Sequence, residues 1–257
     1  MSTSVNTIKR LLWVLLGVSI LTYLLSLNME NHYVTLNTKW LSNGFLFAIA
    51  SGIFASLVIV LACEIIRYKQ MKIAVENALL MYFGNLYGQL LIIRSTCHRA
   101  LNSKEFVSDS LILPTCYNAT MIADSIQGMD YTLFCKNNKA NQIWVKFKSD
   151  KYLALKNVLI NYAYLRIAIW EDGKLLLSQG KINLVTSECE NTNKALNKIV
   201  NQSTTILTYL DQTISQMDNA LGNRYNWQII KQSLNTYQEN FIEQKLDGYL
   251  KEDIVIF

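Results

Sequence analysis

Nineteen consecutive residues from Leu11 to Met29 carry no charge, and a second uncharged run of twenty-four goes from Trp40 to Cys63. As helices the two runs would be about 28 and 36 Å long at roughly 1.5 Å per residue. A hydrocarbon core is about 30 Å thick. Both runs are therefore read as membrane spans, the second with some tilt. A cleavable signal peptide is the alternative for the first run, because Lys9 and Arg10 precede it. The length of its apolar core and the lack of a small-x-small site after Leu27 favour a retained anchor.

Orientation follows from the flanking charges. Lys9 and Arg10 lie before the first run, Arg67, Lys69 and Lys72 follow the second, and the connecting segment 30–39 holds one Lys and one Glu. The positive-inside rule places both termini in the cytoplasm of a multi-pass inner-membrane protein, with a short external loop. Trp13 and Tyr68 would mark the inner interface, and Tyr33 and Trp40 the outer one.

The faces of the spans carry further expectations. Gly44, Ala48, Gly52 and Ser56 recur every four residues, a spacing that lets helix backbones approach closely in lipid. They would pack either within the hairpin or between subunits of an oligomer. Ser19, Thr22 and Ser26 share a face of the first span, and their hydroxyls either line a water path or bond back to helix carbonyls. Glu64, one turn beyond Val60, would stand near the cytoplasmic mouth. A ring of such carboxylates favours cations; a single one would pair with Arg67.

The rest of the chain is poor in turn formers. With 10 glycines and 1 proline in 257 residues, it falls below the usual frequencies of about 7% and 5%, which disfavours sandwiches, barrels and Gly-looped nucleotide folds. The expected fold is mainly α. It comprises a transmembrane hairpin over 1–66 and a cytoplasmic helical body over 67–257. Within the body, Met71, Val75, Leu79, Tyr82, Leu86, Leu90 and Ile93 recur at helical spacing. This predicts a helix over 67–113 that continues the second span as a stiff connection, with Gly84 and Gly88 as a close-approach spot. Pro114 should end it. The region 114–180 reads as mixed: Gln142 to Lys148 alternates like a strand, and Arg166–Trp170, Glu171-Asp-Gly-Lys174 and Leu175–Leu177 read as a β-hairpin. Over 181–257 the spacing predicts a long helical hairpin turning at 221–224. Thr192, Leu196, Ile199, Ser203, Ile206, Leu210, Thr213 and Met217 form a heptad seam, which serves either an intramolecular bundle or a coiled coil between subunits. The apolar tail Ile254–Phe257 is expected to dock.

Catalytic signals are scarce. The two histidines, His32 and His98, would fall on opposite sides of the membrane. His98 adjoins Cys97, a spacing that suits neither a dyad nor paired metal ligands. No CxxC, HxxxH, GxxxxGK[ST] or GxGxxG pattern occurs, and Glu171-Asp172 reads as a turn. No enzymatic activity, metal or cofactor is expected. The cytoplasmic cysteines 97, 116, 135 and 189 should be reduced.

One stretch suits an anionic ligand. Lys136, Lys139, Lys146, Lys148, Lys151 and Lys156 face a single acid, Asp150, with Trp144, Phe147 and Tyr152 interleaved. Basic groups beside stackable rings fit a nucleotide or single-stranded nucleic acid. A solvated lysine face, or attraction to anionic lipid heads, explains the same residues.

As a layout, two spans followed by a cytoplasmic helical part, the chain resembles the membrane effectors of bacterial anti-phage defence, such as the channel effector of Hailong-type systems. The resemblance implies a homo-oligomeric channel controlled by a nucleic-acid product of a partner nucleotidyltransferase or sensor. The competing expectation is a membrane-anchored helical scaffold that binds a cytoplasmic protein.

Overall fold

A computed structural model describes residues 13–24, 43–102, 109–127, 139–180 and 188–250. The regular structure among them is α-helical: α1 (Trp13–Leu24), α2 (Asn43–Asn102), α3 (Asp109–Gln127), α4 (Lys139–Asp150), α5 (Tyr152–Ser178), α6 (Glu190–Ala220) and α7 (Trp227–Leu250). The expected loop 30–39, Ser26, Lys136 and the tail Ile254–Phe257 lie outside the described residues. The chain forms two compact units, Met1–Lys72 and Ile73–Phe257, with the boundary inside α2.

In the first unit, α1 and the start of α2 pack through Ser19, Ala50 and Leu57, all buried. Around them the surface is apolar: Val14, Val18, Leu21, Phe54, Val58, Ile59 and Leu61 are exposed. Only 11% of the most apolar window of α2 is buried. A core helix of a water-soluble domain would hide such a surface, so α2 is a helix long and apolar enough to cross a membrane.

The second unit has its own core. Leu79, Leu80, Phe83, Leu86, Leu90 and Ile93 of α2 meet Trp144 and Phe147 of α4, Leu155, Val158 and Tyr162 of α5, and Leu196, Ile199, Ile206 and Leu210 of α6. An aromatic cluster fills its centre: Trp144 lies edge-on to Tyr82 at 5.0 Å and stacks on Phe147 at 5.6 Å. The heptad seam of α6 is buried at Thr192, Leu196, Ile199, Ser203, Ile206, Leu210 and Met217. Ile214 takes the inward place expected of Thr213. Because α5 is the main partner of this seam, it belongs to a bundle within one chain.

Two glycines of α2 serve close approach. A Cβ at Gly84 would lie 2.5 Å from the Tyr225 hydroxyl, and one at Gly88 3.0 Å from Leu234 Cδ2. Trp227 at the start of α7 closes the same contact, edge-on to Tyr87 at 5.1 Å.

Three expectations need correction. Arg166 to Leu177 is not a β-hairpin but part of α5, and Gln142 to Lys148 is part of α4 rather than a strand. Alternating apolar residues satisfy a helix when it is covered on one side and exposes apolar groups on the other. Trp170, Leu175 and Leu177 are exposed in this way, while Asp172 and Gly173 point inward. Pro114 stands inside α3 instead of ending a helix. The helix expected over 67–113 is described as far as Asn102, and residues 103–108 lie outside the described residues.

The inward Asp172 explains why Glu-Asp-Gly-Lys is no turn. Its carboxylate, 3% exposed, accepts bonds from the backbone N–H groups of Asn191 (3.3 Å) and Thr192 (2.7 Å), from Asn191 Nδ2 (2.9 Å) and from the Thr192 hydroxyl (2.7 Å). It thereby caps the first turn of α6, where free amides and the helix dipole favour negative charge. Asp218 repeats the device one helix later. Also 3% exposed, it accepts from Tyr225 N (2.8 Å) and Trp227 N (2.7 Å) at the start of α7. The reversal between α6 and α7 uses left-handed backbone at Gly222, Asn223 and Asn226, residues that tolerate it best.

Candidate functional site

The hydroxyls of α1 are occupied within the chain. Ser19 Oγ donates to the Ala50 carbonyl of α2 at 3.3 Å, and Thr22 Oγ1 donates to the Val18 and Ser19 carbonyls of its own helix at 2.9 Å. Of the two alternatives for this face, back-bonding and interhelical bonding are what the geometry displays. Ser19 is buried against α2, while Thr22 is half-buried and bonds only within α1.

The small-residue stripe has the opposite placement. Ala48, Gly52 and Ser56 are exposed, and a Cβ built on Gly52 meets nothing within 4 Å. Ser56 Oγ donates to the Gly52 carbonyl at 2.8 Å, lying flat on its own helix. At about 100° per residue, this stripe lies on the side of α2 away from Ala50 and Leu57. Gly44 falls in the first turn of the helix. Among the described residues, nothing in the hairpin therefore covers Ala48, Gly52 or Ser56.

Glu64 does not extend that stripe. Each four-residue step advances the helix by about 40° beyond a full turn, so by Glu64 the series has turned toward the Leu57 side. Glu64 and Arg67 form an ion pair at 3.5 Å, both side chains substantially exposed.

The lysine-rich stretch is divided by the fold. Trp144 and Phe147 are fully buried, so these rings cannot stack on a ligand. Lys148 Nζ lies 4.9 Å from the Tyr152 ring centre, and Lys151 Nζ lies 5.4 Å from that of Tyr209. These two lysines are thus engaged in cation–π contacts with rings of the bundle itself. Lys139, Lys146 and Lys156 are exposed.

A site that the spacing did not reveal lies elsewhere in the second unit. Arg94, His98, Arg99 and Asn102 at the end of α2 line a cleft of about 550 Å3 with Thr204 of α6 and Glu239 of α7. Two arginines and one histidine in the six residues 94–99 form no motif, and Gln238 and Glu239 are far away in sequence. The i, i+4 relation of Arg94, His98 and Asn102 was the available signal.

Burial alters two nucleophilic groups near this end of α2. The Cys97 thiol is pushed from its ordinary 9 to about 12 by desolvation, partly offset by its contact with Tyr162 Oη at 3.4 Å. Tyr162 is raised as well, chiefly by burial. Neither has the lowered pKa of an activated nucleophile. Among the described residues no cluster of His, Cys, Asp and Glu is suited to a metal ion.

Compared with protein-family models, curated proteins and solved structures, the chain matches none.

Proposed function

We propose that this chain is a membrane-embedded homo-oligomer acting as a channel or pore effector, gated by its helical body and controlled by an anionic nucleotide or oligonucleotide. Bacterial anti-phage defence is the setting that suits such a device, with a partner sensor or nucleotidyltransferase supplying the ligand. The observation that carries this reading is the open stripe Ala48–Gly52–Ser56 on an apolar helix whose other side is already packed. In lipid no hydrophobic force draws helices together, so association relies on close backbone approach at small residues. A stripe left open by the hairpin suits α2 of a second copy. Exposed Leu153, Tyr164, Ile167 and Trp170 on α5 offer apolar surface of the same kind in the helical body. The charges flanking the spans orient both termini toward the cytoplasm of the inner membrane.

Liposome flux tests the reading. Reconstituted protein should release a trapped ion when ligand is added, and Gly52→Leu should abolish both flux and detergent-stable oligomers. Protein that oligomerises but never conducts, with or without oligonucleotides, would reject the channel.

The engaged hydroxyls of Ser19 and Thr22 favour a second reading, in which α1 and α2 only anchor a scaffold for a cytoplasmic partner protein. Exchanging both spans for an unrelated anchor preserves activity in that case and destroys it in a channel.

A further inference from the structure

The arginine cleft of the second unit combines three features that together specify a ligand. First, it is a concavity of about 550 Å3, inside the range of about 300–1,000 Å3 typical of small-molecule sites. Second, it holds two guanidinium groups, Arg94 and Arg99, and among the described residues neither lies within ion-pair distance of a carboxylate. Arg94 is half-buried, so its charge is drawn partly out of water, and no carboxylate among the described residues pairs with it. Third, the remaining groups are mixed. His98 and Asn102 stand together at 3.0 Å (Nδ1 to Nδ2), while Gln238 and Glu239 lie on the α7 side.

A structural role explains part of this. Cations in the last turn of α2 offset the negative end of the helix dipole, and Arg99 stands there. Arg94 lies five residues earlier, outside the last turn, where that effect has faded. An exposed arginine also needs no cleft. Both arginines line the one cleft, which suits an anion, and phosphate oxygens match the planar fork of a guanidinium group. Glu239 repels an anion at its own end of the cleft, but it accepts hydrogen bonds from hydroxyl or amino groups. Anion at one end and donors at the other describe a phosphorylated molecule carrying a sugar or base.

We propose that the Arg94–Arg99 cleft binds the phosphoryl groups of a small phosphate ester of nucleotide size, with Glu239 facing its polar, uncharged part. The proposal deepens the ligand-controlled reading above and rests on it only for the consequence of binding. Occupancy would join the end of α2 to α6 and α7 through one bound molecule, whatever that does to flux.

The test is calorimetric titration of the full-length protein in detergent with pyrophosphate, ATP, AMP and adenosine, and separately with short-chain phosphatidylglycerol. ATP and pyrophosphate should bind, with AMP weaker by about tenfold and adenosine undetectable. Arg94→Lys and Arg99→Lys keep the charge and fold but lose the fork, and each should weaken ATP by about tenfold or more. The double variant Lys146→Ala/Lys156→Ala should leave binding unchanged. Binding of phosphatidylglycerol alone, lost in the arginine variants, supports the phosphoryl site and assigns its source to a lipid headgroup. No binding of either class, or loss on lysine but not arginine substitution, overturns the proposal. Arginine-dependent binding without flux keeps the cleft and rejects the channel; flux without binding does the reverse.

Discussion

At the scale of single residues, the decisive side chains are carboxylates that sequence pattern treats as surface. Asp172 and Asp218 are each buried at the start of the following helix, where they hold backbone amides that otherwise have no acceptor. Removing either leaves buried donors unsatisfied, a cost of about 2–4 kcal/mol. Asp172→Ala and Asp218→Ala should therefore lower the urea midpoint markedly, whereas Glu171→Ala, on the neighbouring residue, should leave it nearly unchanged. Cys97 offers a second check. Its thiol is raised toward about 12 by burial, so the fold favours the protonated form. That contribution is complete below pH 9 and fades as pH climbs from 9 toward 12. Native protein at pH 8 should resist alkylation at Cys97 and lose stability on the alkaline side, and Cys97→Ala should flatten part of that alkaline loss. Rapid labelling of Cys97 in folded protein would show that this end of the bundle opens.

At the scale of elements, α2 displays two uses of the same residue type. Gly88 meets Leu234 across a crowded contact, while Gly52 faces open space. Placing leucine at each should separate the roles. Gly88→Leu overpacks the bundle and costs about 1–3 kcal/mol, read as a lower melting temperature. Gly52→Leu should leave melting unchanged and shift the oligomer distribution in crosslinking. Equal effects on melting would mean that the stripe is packed within the chain. The elements also show where pattern reading falls short. The heptad seam of α6 was legible because a one-sided helix repeats its apolar positions at 3 and 4. The middle region was not, because α5 has apolar residues on its buried and its exposed sides. Its Ile167, Ile169, Leu175 and Leu177 then alternate as a strand would. Likewise Trp144 and Phe147 beside lysines read as a stacking platform, yet their partners Tyr82 and Phe83 come from α2, sixty residues earlier in the chain.

At the scale of the whole molecule, the two units differ in what stabilises them. Residues from Val75 onward supply the entire aromatic and aliphatic core of the second unit, and its helix caps are internal to it. A fragment covering 73–257 should thus be helical by circular dichroism and unfold cooperatively without lipid. Failure to fold would mean that the first unit contributes to the core. The first unit buries little of its apolar surface, so the full chain should remain in the membrane pellet after alkaline carbonate.

What the amino-acid sequence determines unaided is helical character, the two uncharged runs, the α6–α7 reversal and the small-residue stripe. Each depends on local spacing or on the scarcity of glycine and proline, and neither requires knowledge of a distant partner. The tertiary structure decided which face of each helix is covered. It turned Ser19 toward Ala50 and left Gly52 uncovered among the described residues, drew Trp144 into the core, made Asp172 a cap, and brought Arg94, Arg99 and Glu239 to the lining of one cleft. The physical reason is common to all of these. A side chain's role depends on what lies within a few ångströms of it, and in a helical bundle those neighbours come from segments tens of residues away.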